Sequence, residues 1–276
     1  MSMEFDNDTY ADLRPLAVVT GGSKGIGFEL AREFAVHGYD LLICAEDVGV
    51  LGEAAQALIG LGPDGASDVR TVSADLATYD GVERLYAELK ALGRPVDVLA
   101  ANAGVGVAGD FARETDLEAE LRMIELNVAS QVHLIKRVVR DMAERDRGQI
   151  LITSSIAGVM PGPREAVYAA TKAFLRSFGH ALRNELSDTG VGVTVLMPGP
   201  TETEFFERSG LDQTKAGQMD KDDPAMVARQ AYEALEHDRA QVVAGARNKL
   251  QAGMAAMMPD TAKAAFHGQM TKPAEE

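Results

Sequence analysis

Leu16-Ala17-Val18-Val19-Thr20-Gly21-Gly22-Ser23-Lys24-Gly25-Ile26-Gly27-Phe28 is the stretch whose reading decides the fold. Residues 16–20 are an apolar run too short for a helix, and a run of that length reads as a fully buried strand. A glycine-rich turn follows, and Phe28, Leu30, Ala31, Phe34 and Ala35 then recur at helical spacing. Strand, glycine turn and helix in that order can hold a pyrophosphate. Glycines let the backbone approach the ligand, and the free amides and positive dipole end of the helix face its charge. Glycines alone are a weak signal; Gly-x-x-x-Gly-x-Gly between a buried strand and a helix start is a stronger one.

Working outward, the same alternation repeats. Residues 40–45 read as a second strand, with Glu46 and Asp47 at its carboxyl end, about twenty residues after the glycines. A carboxylate there accepts hydrogen bonds from ribose hydroxyls and repels a 2′-phosphate, whereas Lys24 in the glycine loop pulls the other way. The alternative is that Glu46 and Asp47 are the acidic first turn of a helix running to about Leu58. Residues 69–74 form a third strand ended by Asp75-Leu76, and a fourth at 96–101 delivers Asn102-Ala103-Gly104 to the same edge. A long helical pattern over 117–143 holds Asn127 between Leu126 and Val128. A buried amide must be hydrogen-bonded, so Asn127 either braces backbone or takes part in chemistry. Further strands fall at 150–155, 191–197, closed by Pro198-Gly199-Pro200-Thr201, and 241–245. Strands alternating with helices predict an α/β fold: a doubly wound, seven-stranded parallel sheet with helices on both faces and ligand at the carboxyl ends.

The fifth strand stops at Ser155, and a helix-forming run opens with Tyr168-Ala169-Ala170-Thr171-Lys172. Tyr168 and Lys172 stand at i and i+4, on one helix face. A positive charge that close is expected to favour the phenolate and draw the tyrosine pKa down from its usual value near 10. Tyr168 would then exchange a proton while Ser155 holds a substrate oxygen. An isolated Tyr-x-x-x-Lys pair is ordinarily a surface tyrosine beside a solvated lysine; the rest of the chain gives this one weight.

The chain has 276 residues, enough for one large α/β domain. Its net charge of −15 argues against a nucleic-acid or anionic-membrane partner. One cysteine, Cys44, lies in an apolar run and reads as an inert core thiol; the five histidines lack metal-ligand spacing, so no metal site is expected. No apolar run approaches a spanning helix and the first residues are acidic, which together predict a cytoplasmic protein. The expected organisation is an N-terminal arm (1–14), a dinucleotide-binding and catalytic domain (15–246) with a polar lid segment (201–223), and an Ala/Met-rich extension and tail (247–276). Met254, Met257 and Met258 are expected to pack on the domain or a partner subunit; the alternative is a flexible wall over substrate.

Together these residues resemble the short-chain dehydrogenase/reductase family, in its compact single-domain branch, from Leu16 to about Gly245. The likeness rests on Thr20-Gly-x-x-x-Gly25-Ile26-Gly27, Asp75, Asn102-Ala103-Gly104, Asn127, Ser155, Tyr168-x-x-x-Lys172 and Pro198-Gly199, in order and at the family's spacing. It implies a Rossmann fold and a nicotinamide-dependent oxidoreductase moving hydride between NAD or NADP and a carbonyl or secondary alcohol. By the same resemblance Tyr168 is the general acid/base, and Lys172 lowers its pKa and bonds the nicotinamide ribose. Ser155 polarises the substrate oxygen, and Asn127 holds a water that links the lysine to solvent. The cofactor would meet Gly21, Ser23, Lys24, Gly25, Ile26, Gly27, Glu46, Asp75, Leu76, Asn102, Ala103, Gly104, Pro198, Gly199 and Thr201, besides Tyr168 and Lys172. Two departures stand out: Ala101 where the family often repeats asparagine, and Glu46 where phosphate-preferring relatives often have arginine. Glu46 tips the expectation toward NAD. Family members are commonly homodimers or homotetramers packed through the helices of about 117–143 and 168–187. A dinucleotide-sensing, non-catalytic binding protein is the competing reading, and an epimerase or dehydratase a weaker one. Substrate choice would fall to loops 105–113, 156–167 and 200–223.

Overall fold

The structure, a computed structural model, describes residues 13–63, 65, 67–212 and 214–272; all but the end of the expected 1–14 arm lies outside the described residues. Seven strands form one sheet: β1 (Leu16–Thr20), β2 (Asp40–Ala45), β3 (Val69–Ser73), β4 (Val98–Ala101), β5 (Gly148–Thr153), β6 (Val191–Met197) and β7 (Gln241–Val243). Their spatial order is β3-β2-β1-β4-β5-β6-β7, and every pairing is parallel. The chain winds outward from β1 to β3, then returns to lay β4 on the other side of β1, so a crevice opens at the carboxyl ends of β1 and β4.

The inner strands read as mostly apolar runs because both faces of the sheet are covered there, whereas the edge strand β3 exposes Arg70 and Thr71. Alternate residues feed opposite cores. Leu16 and Val18 join the core under α3 (Tyr79–Ala91), α5 (Ser130–Glu144) and α6 (Ala166–Glu185). Ala17 and Val19 join the one under α1 (Gly25–Val36), α2 (Val48–Leu58) and α8 (Pro224–Glu236). Leu30, Phe34, Leu85 and Met142 are fully buried. Each such side chain contributes roughly 1.5–3 kcal/mol relative to exposure.

Two local features depart from the sequence reading. The 117–143 pattern is not one uniform helix: α4 (Leu117–Ile124) runs through a π turn (Glu125–Ala129) into α5. The extra residue of such a turn breaks the regular hydrogen-bond ladder, and it does so around Asn127. At the end of β2, the two acidic residues part company. Asp47 caps α2, accepting hydrogen bonds from Gly49 N (2.8 Å) and Val50 N (3.0 Å), while Glu46 points to solvent.

The later segments add α7 (Phe205–Ser209), α9 (Ala246–Ala256) and α10 (Asp260–Met270). A bridge between Thr201 and Asp222 closes the base of the 201–223 excursion. The C-terminal helices return over it: Ala216 N donates to Met270 O (2.9 Å), and Thr271 Oγ1 donates to Pro163 O (2.8 Å). Met254 and Met257 are exposed rather than packed, so the expected methionine packing face does not form in this chain alone.

Candidate active site

The glycine turn is shaped by contacts that exclude a side chain. Gly21 has φ +65°, and a Cβ there would lie 3.1 Å from Ala103 Cα; a Cβ on Gly27 would lie 2.0 Å from Gly21 O. The turn therefore closes on itself and on the end of β4, leaving main chain exposed to the crevice. Thr20 secures that junction: its Oγ1 accepts from Asn102 N (2.9 Å) and Ala103 N (3.0 Å), and its carbonyl accepts from Asn102 Nδ2 (3.1 Å). Asn102 Oδ1 in turn accepts from Thr153 Oγ1 at 3.1 Å. Asn102 is thus a brace between three strands.

A continuous cleft of about 790 Å³ runs from this turn across the sheet edge, lined at one end by Gly21, Ser23, Lys24, Gly25, Ile26, Gly27, Glu46, Asp75 and Leu76. Asn102, Ala103 and Gly104 line it next, then Ser155, Tyr168, Lys172, Pro198, Gly199 and Thr201. All the residues singled out from sequence border it except Asn127, which lies fully buried behind Gly104. Asn127 Oδ1 accepts from Val105 N (2.9 Å), and its Nδ2 donates to Val105 O (2.9 Å) and Thr171 Oγ1 (3.2 Å). A Cβ on Gly104 would lie 3.0 Å from Asn127 Oδ1 and 3.3 Å from Lys172 Nζ, so the bare glycine lets amide and ammonium converge.

Tyr168 and Lys172 are both buried on α6. Lys172 Nζ donates to Thr153 O (3.1 Å) and lies 5.7 Å from the centre of the Tyr168 ring. Burial pushes the lysine pKa down to about 8. The phenol departs from expectation: burial pushes its pKa up, Glu165 adds to the rise, and only the Ser155 hydroxyl, within hydrogen-bonding reach, opposes it. A rule read from i, i+4 spacing leaves out desolvation, which is the largest influence on this phenol. Burial thus favours the protonated phenol, the form that can donate a proton.

At the adenosine end, Arg122 from α4 donates to Asp75 Oδ2 (3.0 Å) and Oδ1 (3.1 Å) and lies 3.5 Å from Glu46 Oε2. Lys24 Nζ meets Glu204 Oε1 at 2.6 Å, tying the glycine turn to the 201–223 segment. Sequence reasoning passed over Arg122 because nothing local links it to residues 46 and 75.

It reached the far wall only as a lid over 201–223 and, as an alternative, a methionine-rich wall over substrate, without the polar residues that lie in it. Phe205 tilts against the Tyr168 ring, with centroids 5.3 Å apart. Met160, Phe206, Leu211, Met219, Phe266 and Met270 line the cleft around it, with polar residues among them that include Glu165, Arg208, Gln251 and His267. Asn248, buried on α9, backs Gly199: a Cβ there would lie 2.3 Å from the asparagine amide. Cys44 borders the cleft floor, its thiol pushed up to about 12 by burial, which leaves it unreactive. Among the described residues there is no group of three or more His, Cys, Asp or Glu that could hold a metal ion, and no helix long and apolar enough to cross a membrane.

Comparison with known proteins agrees with this geometry. The chain is 32% identical over 222 residues to the NADP-dependent 3-hydroxy acid dehydrogenase of Salmonella typhi, an alignment covering 80% of this chain and 87% of that one. It is 36% identical over 230 residues to an uncharacterised short-chain type dehydrogenase/reductase of Sinorhizobium fredii, covering 80% and 85%. Among solved structures, a short-chain dehydrogenase from Sphingobium yanoikuyae in complex with NADPH superposes with a TM-score of 0.76 at 26% identity, over 89% of this chain and 96% of that one. The short chain dehydrogenase family model matches residues 15–214. The chain belongs to the short-chain dehydrogenase/reductase family and is an NAD(P)-dependent oxidoreductase of that family.

Proposed function

We propose that this chain interconverts a ketone or aldehyde and the corresponding alcohol at Tyr168. The observation that carries the reading is one cleft holding both a glycine turn closed against any side chain and, at its centre, a buried Tyr168–Lys172 pair beside Ser155. A dinucleotide fits the donor set: main chain at Gly21 to Gly27 for the pyrophosphate, Asp75 and Leu76 toward the adenine, and Asn102, Gly104, Lys172, Pro198, Gly199 and Thr201 toward the nicotinamide end. When bound, that group supplies the hydride. The chain's own residues do the rest. Ser155 holds the substrate oxygen, Tyr168 Oη gives it a proton in reduction, and Lys172 supports the phenolate left behind. Asn127, locked by three hydrogen bonds, holds the lysine end of the path in place.

The sequence reading favoured NAD on the strength of Glu46. That preference finds no support in the relatives, which include an NADP-dependent enzyme and an NADPH complex. Arg122, 3.5 Å from Glu46, offsets part of the repulsion on which it rested, and Lys24, paired with Glu204, is a second cation beside the glycine turn. We therefore place the preference with NADP(H). Dissociation constants for NADPH and NADH measure it directly: NADPH binds more tightly, and Glu46→Arg widens the gap. Tighter binding of NADH would overturn the assignment.

The exposed apolar side chains Leu117 and Leu121 on α4 and Phe174 on α6 fit self-association through these helices, which light scattering would read as a dimer or tetramer. The reaction itself is tested by NADPH absorbance against a panel of ketones and aldehydes. Wild type consumes NADPH, and Tyr168→Phe lowers kcat by at least about 1,000-fold while cofactor affinity stays within a few-fold. A Tyr168→Phe protein as active as wild type would sink the assignment.

A further inference from the structure

The far wall of the cleft contains a polar pair that the proton-transfer scheme does not use. Glu165 sits at the N-terminal boundary of α6, one turn before Tyr168, and is 7% exposed. Its side chain does not cap the helix, and among the described residues no donor hydrogen-bonds its carboxyl. Among the described residues its ion-pair partner is His267 of α10, whose Nε2 lies 3.5 Å from Glu165 Oε2. That is longer than a well-formed hydrogen bond, so both groups keep bonding capacity for a third. Among the described residues the buried His267 Nδ1 has no hydrogen-bond partner of good geometry, the contact of the ring with the Pro163 carbonyl being a weak one.

Burying an acid without partners costs stability, and a fold retains such a group where something else uses it. Burial pushes Glu165 up to about 7 and pushes His267 down, the Pro163 carbonyl only partly opposing the latter. Both are therefore driven toward their neutral forms. A neutral carboxylic acid and a neutral imidazole each offer one donor and one acceptor. The surrounding wall is apolar: Met160, Phe205, Phe206, Leu211, Phe266 and Met270.

We infer that Glu165 and His267 are a recognition pair for a hydroxyl group on a bulky, uncharged, otherwise apolar carbonyl substrate, set one helical turn from the reacting oxygen at Tyr168. The inference rests on the carbonyl-reductase reading above and deepens it. A carboxylate here would have to leave water for an apolar wall in which Glu165 and His267 are driven toward neutral forms, so acids are disfavoured. A cationic group would enter a cleft that already holds Lys172. The pair lies within the substrate half because α10 is stitched on one side to Pro163 and on the other to residues 215 and 216.

Four matched probes test it with the full chain and NADPH: 4′-(hydroxymethyl)acetophenone, 4′-ethylacetophenone, 4-acetylbenzoate and 4′-(aminomethyl)acetophenone. The expected kcat/KM for the hydroxymethyl ketone exceeds that for the ethyl ketone by about tenfold, the effect of a hydrogen bond left unmade in a dry pocket. The benzoate and the amine fall below both. Glu165→Leu brings the hydroxymethyl-to-ethyl ratio to about one, and His267→Phe lowers it, while NADPH affinity and circular dichroism report that each variant is folded. A wild-type ratio near one, a best substrate that is the acid or the amine, or a Glu165→Leu protein that keeps the ratio overturns this inference and leaves the reductase reading standing. A folded, NADPH-binding wild type that turns over none of the four overturns both.

Discussion

At the glycine-turn end of the cleft, a single added carbon at Gly21, Gly27 or Gly104 would press on backbone or on the Asn127–Lys172 pair. At the other end the walls are side chains, Phe205, Phe206, Phe266 and Met270, carried by the 201–223 excursion and a helix from the end of the chain. The first end is fixed by main chain packed into the sheet; the second is fixed by what late segments happen to place there. A main-chain cradle suits a ligand that never changes, and a side-chain wall suits one that differs between relatives. The two meet at Tyr168, which touches both.

The sharpest way to break this contrast is Gly27→Val. With its Cβ 2.0 Å from Gly21 O, the turn must open or the chain must unfold. The expected outcome is a loss of NADPH affinity on the order of 100-fold or more together with a depressed melting temperature. Unchanged affinity would mean that the turn is not the cradle.

Next in size is Glu165→Gln, which probes the cost of the polar pair in the other half. The folded-state pKa of about 7 lies above the ordinary 4.5, so the folded chain keeps a proton that the unfolded chain releases across that window. Stability contributed by this group is therefore full below pH 4.5 and lost as pH rises through 7. Glu165→Gln should be more stable than wild type by ~3 kcal/mol at pH 8 and equal to it at pH 4.5, as read by urea melts. Equal stability at both pH values would show that Glu165 has a partner that holds it charged.

Phe205→Ala is smaller. Removing the ring that tilts against Tyr168 should raise KM for an aryl ketone by about tenfold and leave NADPH affinity alone. A matching loss of cofactor affinity would blur the division between the two halves.

The same division explains what could be read from the sequence. All seven strands lie close to where the sequence puts them: the inner ones are covered on both faces and carry few polar positions to confuse the pattern, although the edge strand β3 exposes Arg70 and Thr71. Gly21 to Gly27, Asp75, Asn102 to Gly104 and Pro198-Gly199 follow from position alone, since each ends a strand at the ligand edge. Asn127 was legible as a buried amide, but the π turn that carries it was not, because apolar spacing hardly changes across one extra residue. Local spacing also misjudged Tyr168, whose burial is a property of the whole fold and sets its pKa direction. The far wall was least legible. Met254 and Met257, expected to pack on the domain or a partner subunit, are exposed in the single chain, whereas Met270 and His267 line the cleft through contacts with residues distant in sequence. Nothing in the periodicity of α9 or α10 announces those contacts.

The claim that most needs testing is that the two halves are built independently although they meet at Tyr168 and at the Lys24–Glu204 pair. Met270→Asp puts a charge into the apolar wall without touching the sheet. Measuring NADPH dissociation and ketone kcat/KM on this variant in parallel gives the answer. The account predicts an NADPH dissociation constant within about threefold of wild type and a kcat/KM reduced by at least about 30-fold. Affinity for NADPH falling in step with turnover would contradict it.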